Sequence, residues 1–216
     1  MLPMMQLKRL FGLFGLILLQ QLPLLIVGIF VTLPKANRTP QLVTLVGWLF
    51  LGLTILITWF MWRRYQAIKD PRYATGMTTQ KWWTVLIAFV AMILINNLTV
   101  PFIQPTGNGN VEALTDLLQT LGLYMIPYIV FLGPIMEELL FRGFLMNWFF
   151  TKRPVFSILS SALLFGLMHG ITDPIYFLSK ALLGLVLAIV YVRNQNIKST
   201  ITLHILNNLT AGFTIF

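Results

Sequence analysis

The chain has 216 residues, of which 57% are hydrophobic and 10% charged, and a mean hydropathy of +0.82. A soluble domain carries about 25% charged residues, so this composition excludes a soluble globular protein and points to an integral membrane one. The net charge of +9 lies between apolar spans, with no basic helix or aromatic-interleaved patch apart from them, which indicates membrane topology and anionic lipid and argues against nucleic-acid binding; the absence of cysteine removes disulfides, thiolate nucleophiles and cysteine-ligated zinc.

Apolar segments fall near 10–33, 41–62, 82–104, 118–150, 155–169, 174–192 and 197–216. About 20 residues cross a hydrocarbon core. The pattern therefore predicts an all-α, polytopic membrane helical bundle with seven or eight transmembrane helices. The first segment follows Lys8 and Arg9 as a signal sequence would. It continues past Leu22 to Leu33 with no small-residue cleavage site, which reads as a retained signal anchor. Trp59, Trp62, Trp82 and Trp83 lie near span ends and read as interfacial anchors. Asn96, Asn97 and Thr99 can glue helices or line a cavity and receive no assigned role. Segment 118–150 is too long for one helix and contains Gly133-Pro134, which predicts a kinked helix or two shorter ones. The turn after it is marked by Thr151-Lys152-Arg153-Pro154, and Asp173-Pro174 reads as a helix start. Residues 1–105 are N-terminal transmembrane helices supported by hydropathy alone. Residues 106–216 hold the polar chemistry, and the two parts form effectively one membrane domain.

The basic residues set the orientation. With the N-terminus inside and 118–150 counted once, the inner face holds Lys8, Arg9, Arg63, Arg64, Lys69, Arg72, Lys81, Lys152, Arg153, Arg193 and Lys198, and the outer face only Lys35 and Arg38. If 118–150 crosses twice, the later spans invert and the bias weakens. Loop 105–117 has no basic residue and carries Glu112 and Asp116, which fits an outer position.

The chain has two histidines, His169 and His204, and both lie in apolar segments. Two of its six acids, Glu137 and Glu138, stand side by side in a third such segment, followed by Arg142. Ionisable groups at membrane depth cost roughly 2.5–3.5 kcal/mol each on insertion scales, so they mark functional sites. On a helix, Glu138 and Arg142 are i,i+4 neighbours and can pair. Glu137 lies about 100° further round and is free to face another partner. Phe165 sits one turn below His169, where its ring can restrict the imidazole. His204 and Asn208 share one helix face. Glu137 lies about 15 residues before the 151–154 turn and His169 about 16 after it, so in an antiparallel hairpin they meet at one depth. With the turn near Asn194 to Lys198 on the same side, the last helix leaves a mismatch of roughly 5–10 Å, which tilt and side-chain length can absorb.

A carboxylate and an imidazole can together deprotonate a water. A second imidazole and an amide can donate to the oxyanion of a tetrahedral intermediate. Alternatively Glu137, His169 and His204 can hold a divalent metal such as zinc that activates the water. The HExxH signature is absent, so no local spacing favours the metal version.

The three motifs Glu137-Glu138-Leu139-Leu140-Phe141-Arg142, Phe165-Gly166-Leu167-Met168-His169 and His204-Ile205-Leu206-Asn207-Asn208 resemble, in that order, the EExxxR, FxxxH and HxxxN/B motifs of the CPBP family. That family comprises the type II CAAX prenyl endopeptidases and the bacteriocin-processing and immunity proteins, and is often called Abi. The resemblance covers about 130 to 216. It implies a glutamate-dependent intramembrane endopeptidase with a CPBP-like catalytic core over 106–216. Glu137 and His169 would activate the water, and His204 and Asn208 would stabilise the oxyanion. Glu138, Arg142 and Phe165 would support them. The resemblance implies no required cofactor, although the family was first labelled metalloprotease. The short chain without an extra domain looks more like a bacterial member in the cell membrane, with its N-terminus cytoplasmic. That favours a peptide precursor, a bacteriocin or pheromone leader, or a membrane protein as substrate over a prenylated one.

Other readings of the same residues remain. Glu137-Glu138 can be a buried cluster that fixes packing, His169 an interfacial histidine, and His204 and Asn208 interhelical glue. A proton-coupled transporter also places Glu and His in spans, but would show repeats and matching broken helices. A non-catalytic membrane scaffold or bacteriocin self-immunity protein of the same fold is the nearer alternative.

Overall fold

The computed structural model describes residues 4–103, 109–149 and 153–212. It is an all-α bundle of seven membrane helices, and among the described residues there is no strand, only one isolated bridge between Ala74 and Asn196. Thr151, Lys152 and Phe150 of the expected turn and span lie outside the described residues, as do 213–216.

Helices α1 (Met4–Val31), α2 (Pro40–Ile68) and α3 (Thr79–Thr99) are long and apolar enough to cross a membrane. Two of them start on side-chain caps. The hydroxyl of Thr39 accepts from Leu42 N, with Pro40 at the first helical position, and that of Thr78 accepts from Lys81 N. Each cap satisfies an N–H that the helix itself leaves unpaired. Helix α4 (Gly109–Leu121) then leads into a long composite helix, α5, at 125–149.

The expected break at Gly133-Pro134 is not where the path bends. The chain turns at Gly122, whose φ of +51° favours a residue without a Cβ. Pro134 is absorbed within α5. The helix widens to a π turn over Tyr128–Leu132 just before it, and the N–H of Gly133 bonds to Tyr128 O. The wider turn makes room for a ring that would otherwise crowd the preceding carbonyls. Arg38 donates to Thr120 Oγ1 at 3.4 Å and Arg9 to Trp148 O at 2.6 Å. Arg9 and Arg38 flank opposite ends of α1, so segment 118–150 crosses once.

Helix α6 (Pro154–His169) has 16 residues, about 24 Å at 1.5 Å per residue, and stops before completing a crossing of roughly 30 Å. Helix α7 (Pro174–Asn194) starts where expected: Asp173 Oδ1 accepts from the N–H groups of Ile175 and Tyr176. Helices α6 and α7 pack backbone to side chain. A Cβ on Gly166 would come within 2.9 Å of Ala181 Cβ, and one on Gly184 within 2.9 Å of Phe165 Cβ. Small residues permit this close approach in a membrane bundle.

The last helix, α8 (Ile197–Gly212), begins deeper than the sequence suggests. Ile197 packs against Gly143 of α5 rather than beside the 151–154 turn. Asn194 and Asn196 in the preceding turn are buried. The 69–78 loop covers them: Thr75 donates to Asn194 O and Gln195 O, and Asn196 donates to Thr75 O. This inward displacement raises His204 and removes the depth mismatch. Two of the unassigned polar residues of α3 also find partners. Asn96 donates to Asn207 Oδ1 at 2.9 Å and Thr99 to Ser179 Oγ at 2.9 Å, tying α3 to α8 and α7.

Because the chain has no cysteine, single cysteines report topology cleanly. Lys8→Cys and Arg193→Cys should react with a membrane-impermeant maleimide from one side and Lys35→Cys from the other. Lys8→Cys and Arg193→Cys reacting from opposite sides would mean that 118–150 crosses twice.

Candidate active site

Segment 133–146 of α5 carries the acids and Arg142. It returns to regular α over Gly133–Glu138 and widens again to π over Leu139–Met146. A widened turn leaves carbonyls without their usual partners. Asn147 supplies one, since its Nδ2 donates to Gly143 O at 2.8 Å and Arg142 O at 3.2 Å, and lies 2.8 Å from Tyr191 Oη. The π stretch is thereby fixed with Arg142 in its middle.

Glu138 and Arg142 are completely buried. Arg142 Nη1 donates to Glu138 Oε1 at 2.7 Å, and Nη2 donates to Gly184 O of α7 at 2.7 Å. The predicted i,i+4 pair is present, and it anchors a second helix. Glu138 Oε1 lies 3.0 Å from His204 Nδ1. An ionised carboxylate only accepts, so His204 Nδ1 carries the hydrogen of that bond and Nε2 points away. His169 Nδ1 lies 2.7 Å from Phe165 O. A carbonyl also only accepts, so the same logic fixes His169 with Nε2 turned outward.

Both Nε2 atoms face one oxygen. Glu137 Oε2 is 3.9 Å from His169 Nε2 and 3.8 Å from His204 Nε2. It has no hydrogen-bond partner among the described residues. These separations exceed a direct hydrogen bond. Glu137, His169 and His204 therefore converge, as do their supports.

Phe165 is the packing centre of this group, at 2% exposure. Its ring centroid lies 4.5 Å from that of His169 and 5.7 Å from that of His204, and the Arg142 guanidinium sits 5.2 Å above it. One side chain thus orients both imidazoles and the cation beneath them.

Asn208 is placed differently. Its Nδ2 donates to Ile129 O at 2.9 Å and its Oδ1 accepts from Asn207 Nδ2 at 3.3 Å. It lies one turn beyond His204 and is tied to the first π stretch of α5, leaving its second N–H unassigned. A metal-ligand set of the right chemistry exists in Glu137 Oε2 and the two Nε2 atoms, each imidazole held through its other nitrogen as a metal ligand requires. Among the described residues, however, no group of three such side chains is drawn together as a metal cage.

Four contributors escaped the sequence reading: Asn147, Gly184, Tyr191 and Lys180. The first three act through backbone carbonyls or burial and leave no spacing signature. Lys180 did leave one, as a single cation inside an apolar run.

Removing one partner of a buried pair leaves an uncompensated charge, at about 3–5 kcal/mol. Arg142→Met should therefore lower thermal stability in detergent sharply. The double variant Glu138→Gln/Arg142→Met should recover a good part of the loss, because no charge is stranded. A double variant as unstable as the single would show that the pair's electrostatics are not the cause.

Residues 119–210 match the family model described as "Type II CAAX prenyl endopeptidase Rce1-like". Every site residue described above falls inside that range. The chain is 26% identical over 199 residues to "UPF0177 protein YvdC" of Lactococcus lactis, covering 90% of this chain and 73% of that protein. It is 30% identical over 100 residues to "Putative membrane peptidase YdiL" of Bacillus subtilis, covering 46% of this chain and 40% of that protein. No solved structure matches. Residues 119–210 of this multi-pass membrane chain are thus similar to the Rce1-like, CAAX-type membrane endopeptidases.

Proposed function

We propose that this chain is an intramembrane endopeptidase that hydrolyses a peptide bond with a water activated by Glu137 and His169. The observation that carries this reading is the convergence of two outward-facing Nε2 atoms on the unpartnered Oε2 of Glu137, at 3.8 and 3.9 Å. A water between these groups donates to the carboxylate and to His169 Nε2. Its oxygen attacks the carbonyl carbon as the proton passes to that pair. The developing oxyanion takes hydrogen bonds from His204 Nε2–H and the free N–H of Asn208. His204 can donate at Nε2 only as the imidazolium, because Nδ1–H is already committed to Glu138. The stored proton then goes to the leaving amine as the C–N bond breaks.

No cofactor is required in this scheme. A divalent metal, if bound, would be held by Glu137, His169 and His204 and would supply an acidified water; a chelator should leave the proposed activity unchanged. The basic face that includes Lys8, Arg9 and Arg193 is proposed to be cytoplasmic, with the protein in a bacterial cell membrane. With that orientation and a single crossing, Glu137 and His169 are proposed to open nearer the outer face. The proposed substrates are membrane-associated proteins or peptide precursors.

The test is a mass-spectrometric comparison of new protein termini in host membranes, wild type against Glu137→Gln at matched expression. Termini that vanish in the variant would establish proteolysis and identify a substrate. On that substrate His169→Ala and His204→Ala should abolish cleavage, and Asn208→Ala should slow it about 100–1,000-fold, the cost of one oxyanion donor. Identical termini would favour the non-catalytic scaffold or self-immunity reading, and cleavage that survives all four substitutions would overturn the mechanism.

A further inference from the structure

Two basic residues lie well inside the apolar segments, Arg142 and Lys180, whereas Lys198 stands at the edge of the last one. Arg142 is paired with Glu138. Lys180 is half-buried on α7, and among the described residues no carboxylate lies within ion-pair distance of its ammonium. Its neighbour is an aromatic face: Nζ lies 5.1 Å from the ring centroid of Tyr176, one turn away. A membrane-depth cation without a counter-ion is costly, and such residues mark sites that meet an anion.

The neighbouring contacts locate Lys180. Gly184, one turn towards the C-terminus on the same face of α7, gives its carbonyl to Arg142. Gly166 packs against Phe177 and Ala181, on either side of Lys180. His169 stands three residues beyond Gly166 on the antiparallel helix α6. Lys180 therefore lies on α7 beside the segments of α5 and α6 that carry Arg142 and His169. Among the described residues neither Glu137 nor any other acid forms an ion pair with it.

We infer that Lys180 binds a carboxylate of the substrate peptide close to the scissile bond, and so selects peptides that carry an anion there. The inference rests on the peptidase reading of the same cleft and names a specificity-determining residue for it. A peptide can present that carboxylate from its own C-terminus or from an Asp or Glu side chain. In either case the ammonium gains the counter-ion that the protein withholds, and Tyr176 limits where it can go. Lys180 takes no part in proton transfer at the water, so its loss should weaken binding more than turnover.

The test separates binding from cleavage. The full chain carrying Glu137→Gln, in zwitterionic lipid nanodiscs, is titrated with three fluorescent peptide libraries. One ends in a free carboxylate, one in an amide, and one in an amide with a single internal Asp. The acid-ended or Asp-bearing set should bind about tenfold or more tightly than the plain amide set. Whichever set binds tighter identifies the source of the carboxylate. Adding Lys180→Met should erase the difference, and Lys180→Arg should keep most of it. In the chain with Glu137 intact, Lys180→Met should raise KM for the preferred set with little change in kcat.

Equal binding of all three sets, or no binding of any, overturns the inference. So does a preference that survives Lys180→Met. Loss of stability on Lys180→Met confined to anionic nanodiscs, with peptide preference unchanged, would make Lys180 a headgroup anchor and likewise overturn it. A preserved binding preference with no cleavage of any library by the wild type, and no Glu137-dependent termini in host membranes, would instead sink the peptidase reading and leave the carboxylate site standing.

Discussion

The buried pair of Glu138 and Arg142 is the constraint on which the site depends. Taking two charges out of water is costly, and the cost is offset only when geometry is close and the remaining bonding capacity is used. Here Arg142 spends a second nitrogen on Gly184 O, and the same Glu138 oxygen also meets His204. One ion pair therefore ties α5 to α7 and α8. Because an ionised carboxylate can only accept, it also decides which nitrogen of His204 faces Glu137. Charge neutralisation, helix assembly and tautomer choice are one interaction.

Phe165 is the apolar counterpart. It reaches both imidazoles and Arg142, and Gly184 has no Cβ because Phe165 occupies that space. The backbone carbonyl of the same residue sets the tautomer of His169. The FxxxH spacing thus does two jobs. The ring packs beneath the histidine, and the carbonyl four residues back orients it. The two neighbouring acids differ in their supports: Glu138 Oε1 meets both Arg142 and His204, whereas Glu137 Oε2 has no hydrogen-bond partner among the described residues.

The backbone of α5 serves the same end. Two widened turns flank the short regular stretch that carries Glu137 and Glu138. Such turns recur at functional sites because they redirect side chains without breaking the helix. Pro134 and Asn147 stabilise them, one by lacking an N–H and the other by donating to displaced carbonyls. The turn before α8 is drawn into the bundle under the 69–78 loop, which sets His204 at the depth of Glu137.

The sequence by itself determined the membrane class, the all-α helical bundle and the Glu138–Arg142 pair. Those follow from hydropathy and from the 3.6-residue period, which are local. It also singled out Glu137, Phe165, His169, His204 and Asn208, because ionisable and amide groups stand out against an apolar background. The tertiary structure decided the rest. That 118–150 crosses once depended on Arg9 and Arg38 meeting its opposite ends. The bend fell at Gly122 rather than Gly133-Pro134 because a π turn can absorb a proline, and no spacing rule announces a π turn. Which nitrogen of each histidine faces Glu137, and where Asn208 turns, depend on acceptors 4 to 79 residues away in the chain. Such partners are chosen by packing, so a linear reading can name the chemical groups but not aim them.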